Sequence, residues 1–242
     1  MLNIKNLSKT LGQTTILQNI NLSVHKGDFL VIMGPSGCGK TTLLYQMGGL
    51  DYPSRGEISF KKQSLQTLSE KSLSKLRLES FGFVFQKTPF LKNLSLIDNI
   101  VLPALQLKKE SKTTIYGRAK NLLDKMGIRQ LSNSDIREIS GGQLQRAGIC
   151  RAMINQPELL FADEPTGALN SKISQKVMES FKEINKKGVT IVLVTHDSKV
   201  AAYANRIVFM KDGKILTELE NIKKQKQDIQ NDIDNIIRSV GI

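Results

Sequence analysis

The chain has 242 residues, 40% hydrophobic and 24% charged, a composition that excludes disordered and collagen-like classes. Its 35 Lys and Arg against 22 Asp and Glu leave a net charge of +13, which points to an anionic ligand or surface. Apolar runs stay far below the roughly twenty residues of a membrane-spanning helix, and residues 1–5 do not resemble a signal peptide, so a cytosolic protein is expected. In chain order, residues 2–7 and 16–24 alternate apolar and polar positions, the period of half-buried strands. After the turn Lys26-Gly27-Asp28, Phe29–Met33 reads as a strand buried on both faces. A glycine-rich loop follows, and 41–47 reads as a helix. Next come a short strand at 56–60, a short helix at 70–78 and a buried strand at 81–85. From 96 to 155 apolar positions recur mostly at threes and fours, as in Ile115, Ala119, Leu122 and Met126, the helical period. Strands return at 159–162, 189–194 and 207–210, with a helix at 173–185. This alternation predicts an α/β fold on a mainly parallel sheet, with an antiparallel β layer at the N-terminus and an inserted helical stretch. The last twenty or so residues read as a polar helix on which Ile222, Ile229, Ile233, Ile236, Ile237 and Val240 form an apolar stripe.

The charge is unevenly spread. Residues 61–112 carry ten Lys and Arg against four Asp and Glu, whereas 220–242 carry four of each. Without a basic arm interleaved with aromatics, and with no Trp, a solvated or membrane-proximal basic face is expected rather than nucleic-acid binding. Cys38, Cys150, His25 and His196 show no metal-ligand spacing, so neither a zinc site nor a structural disulfide is expected. Cys150 reads as a small core residue.

Three segments carry chemistry. Gly34-Pro35-Ser36-Gly37-Cys38-Gly39-Lys40-Thr41 matches the phosphate-loop pattern G-x-x-x-x-G-K-[ST] between a buried strand and a helix. Its glycines let successive N–H groups face a phosphate, the helix start adds its dipole, Lys40 reaches the β- and γ-phosphates and Thr41 offers a hydroxyl to Mg²⁺. Leu159-Leu160-Phe161-Ala162-Asp163-Glu164 is an apolar strand ending in two carboxylates, Asp163 placed for the metal and Glu164 for the attacking water. Ile139-Ser140-Gly141-Gly142-Gln143 opens a helix over 144–154 with Ser140 as N-cap, a second helix terminus open to an anion.

These segments, together with Gln86, Gly167-Ala168-Leu169-Asn170 and His196, stand in the order and spacing of ATP-binding-cassette ATPases, which the chain resembles over about residues 1–219. Phe81-Gly82-Phe83-Val84-Phe85-Gln86, Asn99-Ile100-Val101-Leu102-Pro103 and Asp163-Glu164-Pro165-Thr166-Gly167 look most like the branch handling lipoproteins, macrolides and antimicrobial peptides. The resemblance implies a RecA-like P-loop NTPase fold, with a cassette over 1–219, a helical subdomain inserted at about 87–155 and a C-terminal helical extension over 220–242. It implies ATP and Mg²⁺ as cofactors. ATP is expected on Gly34, Pro35, Ser36, Gly37, Cys38, Gly39, Lys40, Thr41 and Thr42, with Leu11 at the base. Thr41, Gln86 and Asp163 are expected at the metal; Glu164, His196, Gln86 and Lys40 are the expected catalytic residues.

In such ATPases two cassettes close head to tail, so Ser140, Gly141, Gly142 and Gln143 are expected to complete the site of a second copy. The chain departs from the family pattern at Ile139, where leucine is usual, at Asn170, where aspartate is usual, and at Leu11, where an aromatic commonly stacks on adenine. The last implies weaker discrimination between ATP and GTP. The expected function is the ATP-hydrolysing subunit of a transporter, exporting a peptide, antibiotic or lipid-linked substrate. It would be a homodimer on the inner face of the membrane, working with separate permease subunits and no nucleic acid. The alternative is a cassette ATPase that regulates a membrane-bound division or signalling complex without moving a solute.

Overall fold

The computed structural model describes residues 1–167, 169–220 and 226–241. Strand β1 (Leu2–Leu11) runs antiparallel to β2 (Thr14–Val24), and both are longer than their alternation predicts. Each contains an asparagine in the left-handed region, Asn6 at φ 50° and Asn19 at φ 49°, a conformation asparagine tolerates better than most residues. The Asn6 N–H donates to Asn21 Oδ1 at 2.9 Å and that of Asn19 to Ser8 Oγ at 3.0 Å. The pairing slips at both places, so the period breaks while the strands continue to a hairpin turn at residues 12–13.

Strand β3 (Phe29–Met33) is buried along its length and leads through the glycine-rich loop into α1 (Lys40–Met47). β4 (Arg55–Phe60) pairs with β1, and the short β5 (Gln63–Ser64), which no sequence pattern announces, completes an antiparallel sheet in the order β2-β1-β4-β5. Then come α2 (Glu70–Ser80), β6 (Phe81–Val84), α3 (Leu96–Leu107), α4 (Lys112–Lys125) and α5 (Gly141–Met153). The predicted helical stretch thus resolves into three α-helices, with single 3-10 turns at Arg129–Leu131 and Ile136–Glu138. β7 (Leu159–Asp163), α6 (Ser171–Lys186) and β8 (Thr190–Thr195) follow. The chain ends with α7 (Ser198–Ala201), β9 (Arg206–Lys211), β10 (Lys214–Glu220) and α8 (Lys226–Val240).

These elements gather into two compact units, Met1–Leu73 with Asn185–Ile242, and Ser74–Ile184. The first holds the antiparallel layer and the strands β10-β9-β3-β8, where β3 pairs parallel with both β8 and β9 and β10 pairs antiparallel with β9. Parallel strands must be covered on both faces, which is why β3 and β8 read as unbroken apolar runs. In the second unit β6 and β7 pair parallel from Phe81↔Leu159 to Val84↔Ala162. Phe81 and Phe83 pack on Phe161 with ring centroids 5.4 and 5.3 Å away, and α3, α4 and α5 pack on one another. The fold is a mixed α/β fold of the P-loop NTPase type, with parallel and antiparallel sheet.

The C-terminal stripe is used within the first unit. Ile229 and Ile233 of α8 are buried, Ile236, Ile237 and Val240 are half-buried, and the helix packs against α7. Ile222 lies outside the described residues. Lys211 Nζ, at the end of β9, donates to the carbonyls of Val240 at 3.3 Å and Gly241 at 2.8 Å.

Cys150 is fully buried on α5, and burial pushes its thiol up to about 12 from an ordinary 9.0. At pH 8 it is therefore a protonated, inaccessible thiol. Ellman's reagent should fail to label Cys150 in the folded Cys38→Ser variant and label it fully in guanidinium. Because the unfolded thiol ionises first, the stability held below pH 9 should fall as pH rises from 9 toward 12, measurable as a falling urea midpoint.

Candidate nucleotide site

The loop after β3 admits only glycine at two of its turns. A Cβ on Gly34 would stand 2.2 Å from the Met210 carbonyl oxygen and 2.8 Å from Cys38 Sγ. One on Gly39 would stand 2.8 Å from Leu17 Cδ2 and 3.0 Å from the Ile16 oxygen. Gly37 and Gly39 have φ of 81° and 101°, the backbone conformations from which anion-binding nests are built, while the Cys38 N–H between them donates to the Pro35 oxygen at 3.4 Å. Lys40 starts α1 and is only 7% exposed. Its side chain folds back along the loop, where Nζ donates to the oxygens of Gly34 and Pro35, each at 2.8 Å. This packing uses two of the ammonium's three donors and keeps its charge inside the loop.

The first turn of α1 carries no carboxylate, so its N-terminal dipole is unopposed there. Thr41 and Thr42 lie in that turn, exposed and half-buried respectively. Burial pushes the Cys38 thiol up against the pull of Lys40, leaving that side chain neutral. A backbone cradle, a retained ammonium and a threonine hydroxyl fit a triphosphate accompanied by a hard divalent cation. The same unit carries Leu11, 56% exposed where β1 pairs with Thr14, and His196, exposed just past β8. Asp197 is a cap for α7, its Oδ1 accepting from the Lys199 N–H at 2.7 Å.

In the second unit Asp163 ends β7 and is 6% exposed. Glu164, the next residue, is left-handed at φ 42°, which no sequence signal announced. Its carbonyl accepts the Gly167 N–H at 3.2 Å. A Cβ on Gly167 would lie 3.5 Å from Gln86 Nε2 and 3.8 Å from Glu164 Cβ, so Gln86 and Glu164 flank the same glycine. Ala168 lies outside the described residues. Asn170 caps α6, its Oδ1 accepting from the Ile173 N–H at 3.0 Å.

Ser140 is the N-cap of α5, as its position predicts, and its N–H donates to Gln143 Oε1 at 2.9 Å. The side-chain amide oxygen of Gln143 is thereby committed to the helix start. The two adjacent glycines differ: Gly141 faces open space, whereas a Cβ on Gly142 would touch Leu169 and Ile173 at 3.4 Å. Ile139 is buried, as an apolar anchor should be.

Sequence reasoning missed that α5 also holds the segment after β6. Gln145 Nε2 donates to the Phe85 oxygen at 3.2 Å, Arg151 Nη1 donates to the Pro89 oxygen at 2.6 Å, and its guanidinium lies 4.9 Å from the Phe90 ring centre. Between them a Cβ on Gly148 would meet Thr88 Oγ1 at 2.5 Å. The signal was present in the spacing, since Gln145, Gly148 and Arg151 fall three apart on one face of the helix.

Comparison with known proteins gives a consistent picture. A family model described as "ABC transporter" matches residues 17–167. The Macrolide export ATP-binding/permease protein MacB of Campylobacter jejuni is 43% identical over 227 residues, 94% of this chain but 35% of that protein. The chain thus spans about a third of the length of the MacB relatives it matches. The Lipoprotein-releasing system ATP-binding protein LolD of Aquifex aeolicus is 40% identical over 225 residues, 92% of this chain and 99% of that one. Among solved structures, a dimeric post-hydrolysis state of the ATP-binding cassette MJ0796 bound to ADP and Pi is 36% identical, with a TM-score of 0.87, covering 93% of this chain and 100% of that one.

The tightest constraint in the loop is testable by adding one methyl group. Gly34→Ala forces a shift against a backbone carbonyl, costing about 1–3 kcal/mol, and should lower the melting temperature and weaken ATP binding at least tenfold. Gly37 has nothing within 4 Å of its missing Cβ, so Gly37→Ala should cost only the left-handed strain of about 1–2 kcal/mol. Melting curves and ATP titrations of the two variants check the order.

Proposed function

The chain belongs to the ABC transporter family, and we propose that it is the ATP-hydrolysing subunit of an exporter for a peptide, antibiotic or lipid-linked substrate. The observation that carries this reading is the loop of residues 34–41, with the Lys40 ammonium enclosed between a buried parallel strand and a helix start free of carboxylates. MacB and LolD, named for macrolide export and lipoprotein release, support the substrate class. Among the described residues no helix is long and apolar enough to cross a membrane. The route across the bilayer is assigned to permease segments of the kind named in MacB, with the cassette peripheral on the inner membrane face. Residues 1–219 form the cassette with a helical insertion at about 87–155, and 220–242 are an extension.

The chain is an ATPase, and its residues have these proposed parts. Lys40 and the amides of residues 34–42 bind the β- and γ-phosphates, and Leu11 contacts the base. Thr41, Asp163 and Gln86 hold Mg²⁺, which when bound neutralises charge on the phosphates. Glu164 orients the attacking water and accepts its proton as the bond from the γ-phosphorus to ADP breaks. His196 donates a hydrogen bond to the γ-phosphate. Ser140, Gly141, Gly142 and Gln143 act on the nucleotide of a second copy in a head-to-tail homodimer. Dimeric cassettes among the solved structures support that assembly.

Glu164→Gln tests the assignment. The variant should bind MgATP normally, lose at least about a hundredfold in turnover and run as a dimer on gel filtration only when ATP is present. Turnover equal to the parent, or a monomer in both conditions, counts against the reading.

A further inference from the structure

The turn after β9 touches both the phosphate loop and the C-terminal helix. Asp212, at φ 47°, and Gly213, at φ 75°, link Lys211 to Lys214, which face each other across the hairpin. Two successive positive φ values make the tight primed turn whose twist matches its strands, a stiff connection. On one side the Gly213 N–H donates to the Cys38 oxygen at 3.1 Å, and the Gly213 oxygen accepts from the Gln18 N–H at 2.8 Å. A trans peptide points its C=O and N–H in opposite directions. Fixing the Cys38 carbonyl on Gly213 therefore turns the Gly39 N–H the other way, at the N-terminus of α1. The start of the loop rests on the same segment, since Gly34 leaves no room for a Cβ beside the Met210 carbonyl.

On the other side, Lys211 Nζ holds the Val240 and Gly241 carbonyls at the end of α8, where a cation is favoured. α8 also packs on α7, whose first residue lies two positions after His196. A fifteen-residue helix is marginal by itself, and two fully covered isoleucines, Ile229 and Ile233, seat it. Its docking can therefore be lost without unfolding the sheet.

We propose that α8 regulates the nucleotide site from within the chain, and that Lys211 is the positioning residue transmitting its docking to the Cys38–Gly39 peptide. Docked, α8 holds Lys211 and so the turn that orients the Gly39 amide. Undocked, Lys211 loses its carbonyl partners, the stiff turn shifts with it and the phosphate cradle loosens. The proposal rests on residues 34–41 being the triphosphate site.

The test uses the full chain with Lys211→Met, Lys211→Arg, Ile233→Asn and the Met–Asn double variant. MgATP affinity is read by calorimetry and nucleotide-free stability by melting. Lys211→Met and Ile233→Asn should each weaken MgATP about fivefold or more, and the double variant no more than the stronger single one. Lys211→Arg should restore affinity, with the melting temperature of Lys211→Met close to the parent's. Unchanged affinity in Lys211→Met, no rescue by Lys211→Arg, or losses that multiply in the double variant overturn the proposal. If Ile233→Asn does not fold, the two Lys211 variants decide alone. Lys40→Ala is the control on the premise: if it binds MgATP as tightly as the parent, the phosphate-site reading fails, and the proposal with it.

Discussion

A backbone cradle for an anion carries a structural obligation: every N–H turned inward sends a carbonyl outward, and that carbonyl needs a donor. In this loop the donors come from several elements. Lys40 serves Gly34 and Pro35, the Cys38 N–H also reaches the Pro35 oxygen, Gly213 serves Cys38, and the Leu43 amide in α1 serves Gly39. The loop's shape is thus set partly by its own lysine and partly by a hairpin more than 170 residues away in sequence. Placing β3 beside β9 in the sheet makes this possible. A glycine-rich segment of the same sequence in isolation would lack the Gly213 donor.

The second unit solves a different problem, that of holding an exposed glutamine in place. Gln86 follows the last hydrogen-bonded residues of β6 and lies on a segment with little regular structure of its own. Helix α5 supplies what the segment lacks, through Gln145 at Phe85, the bare face of Gly148 at Thr88 and Arg151 at Pro89 and Phe90. The helix that begins with Ser140 and the segment bearing Gln86 therefore form one packed body within this unit. A displacement of either would be felt by the other, because close packing leaves few intermediate arrangements.

What the sequence made legible follows from which interactions are local. β3, β7 and β8 were readable because strands buried on both faces need continuous apolar residues. The phosphate loop was readable because its glycines and lysine form one pattern within eight positions. The ends of β1 and β2 were not, since the left-handed Asn6 and Asn19 break the period without ending the strands. Two-residue β5 is defined only by its pairing with β4. The isoleucine stripe of α8 was visible, but the lysine that fastens its far end lies 29 and 30 positions away and resembles any other surface lysine. Likewise nothing local distinguished Gly141, which faces open space, from Gly142, which packs against Leu169 and Ile173.

The part proposed for Glu164 sets chemistry against folding. Its backbone occupies a region where a side-chain-bearing residue is strained by about 1–2 kcal/mol, so glycine would suit the fold better than the carboxylate does. Glycine is the substitution that removes this strain, because every other residue keeps a Cβ. On the proposed role, descendants released from selection for hydrolysis would gain stability by acquiring glycine here as they lost turnover. The proposed role thus asks for a carboxylate where folding alone would favour glycine.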